Sequence, residues 1–499
     1  MMDKPGNIMG RARQWQTLNR FLFEGDVNGP LRLGLVSGRR RTGKTQLLVA
    51  ACEALGGLYI PCVQDEGDRA ARSRFGAAIA EHAGLGASLL GAPESWEVLL
   101  HAALDTAART APPGTPALVV IDEFPYAMAD APQLPSLIQH LYDDSQNRRG
   151  PGGRLILCGS ALSVMQNLLS STKPLRGRAI MDIRLNALDY REAAQLWDIE
   201  DPEIALRVHA CVGGIPGYHA LMTNPAADIQ DFDRWLVENL LDPDRSVFTR
   251  IEVDYLLREE PKITNRTIYY DILTAVANGA NTPTKIGSTL GRDDNSIRYP
   301  LSVLESAGYV TRSQDLLRGR RPTITVSDPV IRFDRLITAP HLGQLELGRA
   351  EQVWLAAAPT FRSSILGPHF EELARDWTHR FAPDELGHPA GFGEVGYATI
   401  QDHAGRAKHE IDVLAKHADQ ITIIGEAKAT LTRRGLPDLS RLDTIRTLLT
   451  RESHNTEQTI LTLFSTTGFT PDLESTATQR PDVELIDLNR LYGHEDPGR

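Results

Sequence analysis

The chain has 499 residues, room for about three domains, and its 41% hydrophobic and 23% charged residues match a folded chain rather than a disordered one. Its 53 Lys and Arg against 64 Asp and Glu leave a net charge of −11. That excludes a wholly basic nucleic-acid-coating protein, but not a DNA-binding domain inside an acidic chain, because attraction to phosphate is local. The four cysteines (Cys52, Cys62, Cys158, Cys211) form no C-x-x-C pair, so neither a zinc site nor a disulfide framework is expected. The N-terminus MMDKPGNIMGRARQW lacks the apolar core of a signal peptide, and no apolar run approaches the ~20 residues of a membrane span. A cytoplasmic protein without a membrane partner is expected.

Along the chain, short apolar runs at 31–37, 58–62, 117–124, 154–160 and 181–185 alternate with stretches of helical spacing such as TQLLVAACEAL and PSLIQHLYDD. This alternation predicts an α/β domain over 1–185, with a doubly wound parallel sheet. Residues 186–262 carry only helical signals (REAAQLW, EIALRVHACV, FDRWLVENLL), punctuated by GGIPGYH, and predict a helical lid. Three short helical segments and a basic hairpin over 263–335 predict a winged helix-turn-helix. The Pro and Gly of ITAPHLGQLELG suit a linker, followed by a last domain over 346–499.

Gly38-Arg39-Arg40-Arg41-Thr42-Gly43-Lys44-Thr45 fits G-x-x-x-x-G-K-[ST] at every fixed position, between a predicted strand and a predicted helix. Glycines let successive N–H groups turn toward a phosphate. Lys44 supplies charge to the outer phosphates of ATP, Thr45 a hydroxyl to Mg²⁺, and the helix N-terminus a positive dipole end. ALVVIDEF ends in Asp122, a candidate Mg²⁺ partner, and Glu123, a candidate base for the attacking water. Ser160, after RLILCGS, is placed to sense the terminal phosphate or to cap the next helix; Arg176 and Arg178 in PLRGRA are candidate arginine fingers.

SGRRRTGKT, VVIDEFP, CGSALSVM, PLRGRA and GGIPGY together resemble the archaeal-type P-loop ATPases related to AAA+ and STAND NTPases. The IMGRARQWQTL segment is similar to that family's G-R-E-x-E-L segment near the nucleotide base, with Ala12 and Gln14 where acidic residues are usual. The resemblance implies an ATP-hydrolysing switch with DNA, a protein partner or further copies of itself as partners.

Thr282–Thr325 holds seven basic residues (Lys285, Arg292, Arg298, Arg312, Arg318, Arg320, Arg321) against four acidic ones, a local +3. Early recognition-helix residues read the major groove, which nominates Asn295, Ser296 and Arg298; wing arginines meet phosphate. Asp293 and Asp294 at the helix start oppose phosphate, so a protein-interaction role is the competing reading.

HEIDVLA, the turn KHADQ and ITIIGEA predict an antiparallel hairpin. A turn centred on Ala418 pairs Glu410 with Glu426 and Asp412 with Ile424. Glu410, Asp412, Glu426 and Lys428 then share one face, where a hard cation such as Mg²⁺ would relieve their repulsion. Asp412, Glu426 and Lys428 resemble the D…E-x-K triad of PD-(D/E)xK nucleases. Glu371, with Glu372 beside it on FEELARDW, matches the helical acid that completes such a site, implying Mg²⁺-dependent DNA cleavage. The competing expectation is a nucleotide-switched regulator with a non-catalytic C-terminal domain.

Overall fold

The computed structural model describes residues 2–494 except 28, 87–94, 171–172, 224–227, 250–251, 264, 320–321 and 403–404. It divides into two compact units: one of Met1–Ala187, Ile215–Gly217 and Leu256–Lys262, the other of Leu188–Gly214, Tyr218–Tyr255 and Ile263–Arg499. No helix among the described residues is long and apolar enough to cross a membrane.

In the first unit, β1 (Arg32–Gly38), β2 (Leu58–Pro61), β3 (Leu118–Asp122), β4 (Arg154–Gly159) and β5 (Ala179–Leu185) form a parallel sheet in the order β2-β3-β4-β1-β5. All five strands lie where the apolar runs predicted them. Their side chains alternate between two cores. Leu33, Leu35, Val119, Ile121, Leu155 and Leu157 pack with Phe75, Leu99 and Ile138 on one face; Val36, Val120, Ile156 and Ile183 pack with Leu18, Leu22, Leu47 and Leu48 on the other. Burial on both faces explains why β1, β3 and β4 read as near-continuous apolar stretches, whereas the edge strand β5 alternates buried and exposed residues. Because β4 lies between β1 and β3, the residue that follows it, Ser160, emerges between the phosphate loop and Asp122.

Arg154, wholly buried at the start of β4, has a structural task. Its Nε donates to Phe21 O at 3.1 Å and Leu22 O at 3.2 Å, and its Nη2 to Asp26 O at 3.3 Å. Phe21 O and Leu22 O are last-turn carbonyls of the helix Ala12–Phe23, where a cation meets the negative end of the helix dipole; Asp26 O, just beyond, also accepts from Gly29 N at 3.1 Å.

The second unit begins with the expected helices Tyr190–Leu196, Pro202–Val212 and Ile229–Leu236. Helices Arg266–Ala277, Pro283–Leu290 and Asp294–Ser306, then the antiparallel pair β6 (Val310–Ser313) and β7 (Thr323–Val326), form the predicted winged-helix order. The expected linker at ITAPHLGQLELG is helical instead, running through Asp334–Thr338 and Ala339–Leu345. Pro340 lies inside a helical run that is unbroken from Pro329 to Leu345, directly after the π-helical stretch Asp334–Thr338, whose wider turn accommodates a residue without an N–H, and buried Ile337, Thr338 and Leu345 tie the segment to the core.

The C-terminal sheet holds β8 (Glu394–Asp402), β9 (Ala407–His417), β10 (Gln420–Lys428), β11 (Ile460–Ser465) and β12 (Val483–Ile486) in the order β12-β11-β10-β9-β8. β8, β9 and β10 are antiparallel neighbours; β10, β11 and β12 are parallel. Helix Leu436–Arg451 buries Leu439, Leu442, Ile445 and Leu449 against Ile411, Leu414, Ile424 and Leu461. Helix Gly367–Arg380 packs against β8, β9 and β10.

Candidate functional site

The phosphate loop leaves β1 at Gly38 and enters the helix Lys44–Leu55 through Gly43, whose φ of +90° a side chain would oppose. Lys44 is buried, its Nζ donating to Gly38 O at 2.8 Å and Arg39 O at 3.0 Å. Thr42, also buried, closes the loop with an Oγ1 bond to Arg39 O at 2.7 Å. Arg41 stands at φ +65°, and Gly217 N donates to its carbonyl at 2.9 Å. A Cβ on Gly217 would lie 2.6 Å from Arg41 Cβ, so the GGIPGY segment needs glycine there to reach the loop. Arg11 Nη2 donates to Thr42 O at 3.0 Å and Asn186 O at 2.8 Å; thus the N-terminal segment braces the loop.

Thr45 Oγ1 donates to Asp122 Oδ2 at 2.9 Å, and Tyr59 OH donates to the same oxygen. The two oxygen groups expected to serve Mg²⁺ therefore stand side by side at the carboxyl ends of the strands, the place where open α/β sheets bind ligands. This donor set fits a hard cation that keeps much of its water. Glu123 adopts φ +52°, an unfavourable backbone conformation for a non-glycine residue of the kind that clusters at functional sites. Its Oε2 accepts from Ser160 N at 3.0 Å and Ser160 Oγ at 2.9 Å. Ser160 is thus brought to Glu123 and makes no side-chain cap for Leu162–Leu168.

Arg178 is held elsewhere: Nε and Nη2 donate to Asp143 Oδ1 and Oδ2 at 2.9 and 2.8 Å, and Nη1 to Pro174 O at 2.9 Å. Three groups of the nucleotide end escaped the sequence reading. Tyr59 had only its place at the edge strand as a signal, Arg11 only its place in the N-terminal motif, and Glu259, which pairs with Arg40, is 219 residues from its partner.

In the segment of three helices and a hairpin over Arg266–Val326, Asn295, Ser296, Arg298 and Tyr299 are exposed on the third helix. Ser296 is tied to its start, its N–H donating to Asp293 Oδ1 at 2.7 Å. Arg312 Nε faces Glu305 at 3.3 Å, Arg318 is exposed, and Arg320 and Arg321 lie outside the described residues. The tip of the hairpin turns onto the C-terminal sheet: Leu316 N donates to Tyr397 O at 3.1 Å, Lys416 Nζ to Leu316 O at 2.6 Å and Thr399 Oγ1 to buried Asp315 Oδ2 at 2.6 Å. Nothing in the spacing of the hairpin announces this docking, apart from Leu316 and Leu317 at a tip that solvent alone would leave polar.

The carboxylate face differs in register from expectation. β9 runs to His417 and β10 starts at Gln420, so the turn is two residues long, with Ala418 at φ +57°. Gln420 pairs with His417 and Gly425 with Val413, with a bulge between Ile421 and Ile423. Asp412 therefore lies across from Glu426, and the expected pairs Glu410–Glu426 and Asp412–Ile424 do not form. A second irregularity faces β8, where Gly396 pairs with Leu414 and Ala398 with Ile411. The extra residue on β9 re-aims Asp412, a common use of bulges beside functional sites.

Lys428 Nζ donates to Asp412 Oδ2 at 2.9 Å and lies 3.4 Å from Glu426 Oε1; Ala427 N donates to Asp412 Oδ2 at 3.0 Å. Burial opposes the charge on Lys428, yet Asp412 and Glu426 hold its pKa above the ordinary lysine value. Glu410 falls outside this group: its side chain is exposed and faces Lys408. Arg441, on the helix Leu436–Arg451, enters instead, with Nη1 on Glu426 Oε1 and Nη2 donating to Glu410 O at 3.2 Å.

The two helical acids separate cleanly. Burial, then the charge of Asp412, lifts the Glu371 carboxyl to about 7, against Arg375 and Lys428. Glu372 belongs to a structural network with Arg332 and with His369, whose Nδ1 is 3.4 Å away. Burial pushes Glu372 up, but Arg332 and His369 outweigh it and hold the carboxyl at about 2.

Among the described residues no three Asp, Glu, His or Cys side chains converge into a ready-made metal cage. Mg²⁺ needs only one or two carboxylates, the rest of its shell being water and substrate oxygens. Glu426 Oε2 is buried without a hydrogen-bond partner, an atom a cation would satisfy. Asp412 and Glu426 therefore fit a divalent ion in kind.

No family model matches the chain. An uncharacterized protein of Methanocaldococcus jannaschii is 25% identical over 350 residues, 69% of this chain and 72% of that one. Among solved structures, the Walker-type ATPase of Pyrococcus abyssi is 19% identical, covers 66% of this chain and 97% of its own, and superposes with a TM-score of 0.49. The ORC2 protein of Aeropyrum pernix, in its ADPNP–ADP complexes, is 14% identical over 71% of this chain and 97% of that one, with a TM-score of 0.43.

Proposed function

We propose that the chain is a Mg²⁺-dependent ATPase whose nucleotide state governs DNA binding and Mg²⁺-dependent DNA cleavage. Residues 1–185 would form the ATPase core, 186–262 the lid, 263–335 the DNA-binding winged helix and 346–499 the nuclease-like domain. The observation that carries the ATPase reading is the junction of Thr45 with Asp122 at 2.9 Å beside the buried Lys44. Gly38 to Thr45 would wrap the phosphates, and Thr45 and Asp122 would hold Mg²⁺, which offsets phosphate charge. Glu123, fixed by Ser160, would take a proton from the attacking water, a role of positioning and charge that phosphoryl transfer demands. Arg178 would act as a finger only by leaving Asp143.

For cleavage, Asp412 and Glu426 would hold Mg²⁺, with Glu371 joining once ionised. The ion supplies an activated water and charge neutralisation at phosphate. Lys428, already shared by both carboxylates, would neutralise charge on the scissile phosphate. DNA would meet Asn295, Ser296, Arg298 and Arg318. The test is ATP turnover and strand cleavage by the full chain with Mg²⁺, beside Lys44→Ala and Asp412→Ala. Lys44→Ala should lose turnover, and Asp412→Ala should keep turnover and lose cleavage. Cleavage surviving in Asp412→Ala removes the nuclease assignment.

A second reading, a nucleotide-switched regulator with a non-catalytic C-terminal domain, is favoured by one observation. Lys428 and Arg441 already pair with Asp412 Oδ2 and Glu426 Oε1, so both carboxylates carry a counter-charge from the protein itself. Salt-dependent binding to one DNA sequence without cleavage would select it.

A further inference from the structure

The segment Leu256–Lys262 belongs to the phosphate-loop unit although it is remote from the loop in sequence. Glu260 anchors it: this carboxylate is buried, and Oε1 accepts from Ser163 Oγ on the helix that follows Ser160. The anchor sets Glu259 on the loop, where Oε1 accepts from Arg40 Nη1 at 2.9 Å with the Glu259 side chain only 10% exposed. Burial lifts its carboxyl above the ordinary value and Arg40 draws it down; Glu123 and Lys44 are both near enough to act on it as well. Glu259 therefore stands in the field of the two groups expected to bracket the terminal phosphate of a bound nucleotide.

We infer that Glu259 is a specificity-determining residue of the nucleotide site, one that weakens binding of a nucleoside triphosphate relative to the diphosphate. The inference rests on the nucleotide-binding reading of the loop. A buried carboxylate is tolerated while paired. A terminal phosphoryl group brings further negative charge to the same end of the site and competes for Arg40. A diphosphate lacks that group and leaves the Arg40–Glu259 pair in place. The pair thus selects the diphosphate unless the triphosphate's other contacts repay the repulsion.

The test is equilibrium binding of ADP and of the non-hydrolysable β,γ-imido analogue of ATP, with Mg²⁺, to the full chain. Glu259→Gln keeps the shape and removes the charge. It should tighten the triphosphate analogue roughly tenfold and change ADP by less than about twofold, as expected for one charge removed near the terminal phosphate. Arg40→Gln leaves Glu259 unpaired and should shift the ratio the other way. Equal shifts for both nucleotides would reduce Glu259 to a structural residue, and no shift for either would overturn the inference while leaving the site itself intact. Absence of nucleotide binding by wild type, indistinguishable from Lys44→Ala, would instead remove the nucleotide reading and this inference with it.

Discussion

Replacing Glu371 by Gln tests whether the helical acid truly belongs to the carboxylate face. Burial and Asp412 carry this carboxyl from the usual 4.5 to about 7, so the fold retains a proton that the unfolded chain releases earlier. The stability this provides is complete below about pH 4.5 and lost as pH rises through 7. At pH 8 the ionised fold is about 3 kcal/mol less stable than with a neutral group there. Gln keeps the shape without the charge. Glu371→Gln should therefore gain about 3 kcal/mol at pH 8 and under about 1 kcal/mol at pH 5 relative to wild type, measured by urea unfolding in a chelator. Adding Mg²⁺ should stabilise wild type at pH 8 and narrow the gap, because a bound cation favours the ionised carboxyl. A stability difference independent of pH would refute the placement of Glu371 beside Asp412.

Three other outcomes follow from named contacts. Arg154→Met should destabilise the first unit by roughly 3 kcal/mol, since the two buried carbonyls of Phe21 and Leu22 at the end of Ala12–Phe23 lose their side-chain donor; thermal unfolding reads this, and an unchanged midpoint would refute the capping role. Gly217→Ala places a Cβ 2.6 Å from Arg41 Cβ, so nucleotide affinity should fall roughly tenfold or more as the loop is displaced, checked by equilibrium binding. Asp315→Ala removes the acceptor for Thr399 Oγ1 and for Leu317 N at 3.0 Å, and should free the hairpin tip at a cost of about 1–3 kcal/mol, seen as faster proteolysis between Ser313 and Thr323.

Strands that bury both faces announce themselves, as β1, β3 and β4 do, while the edge strands β2 and β5 are shorter or alternating signals; the loop is legible from its glycines and lysine. The carboxylate face was legible in membership but not in register. Faces depend on a count of two, and the bulges at Ile421–Ile423 and opposite Tyr397 change that count without any mark in composition. Glu410 is grouped with the others for that reason, whereas Arg441 arrives from the helix Leu436–Arg451, which the strand pattern does not describe. The linker expectation fails because Pro340 reads as a helix breaker, whereas the π-helical stretch Asp334–Thr338 before it lets the helix run on. Glu259, Arg11 and the docking of Leu316 are long-range contacts, and no local pattern encodes a partner so many residues away.

ATP hydrolysis is proposed at the site of Lys44, Asp122 and Glu123. Phosphate release from ATP, with Mg²⁺, by wild type and Glu123→Gln tests it most directly. The variant should still bind ATP while its turnover falls by about 10²–10⁴, the usual worth of a positioned general base. Wild-type turnover in Glu123→Gln, or no Mg²⁺-dependent release by wild type, would contradict it.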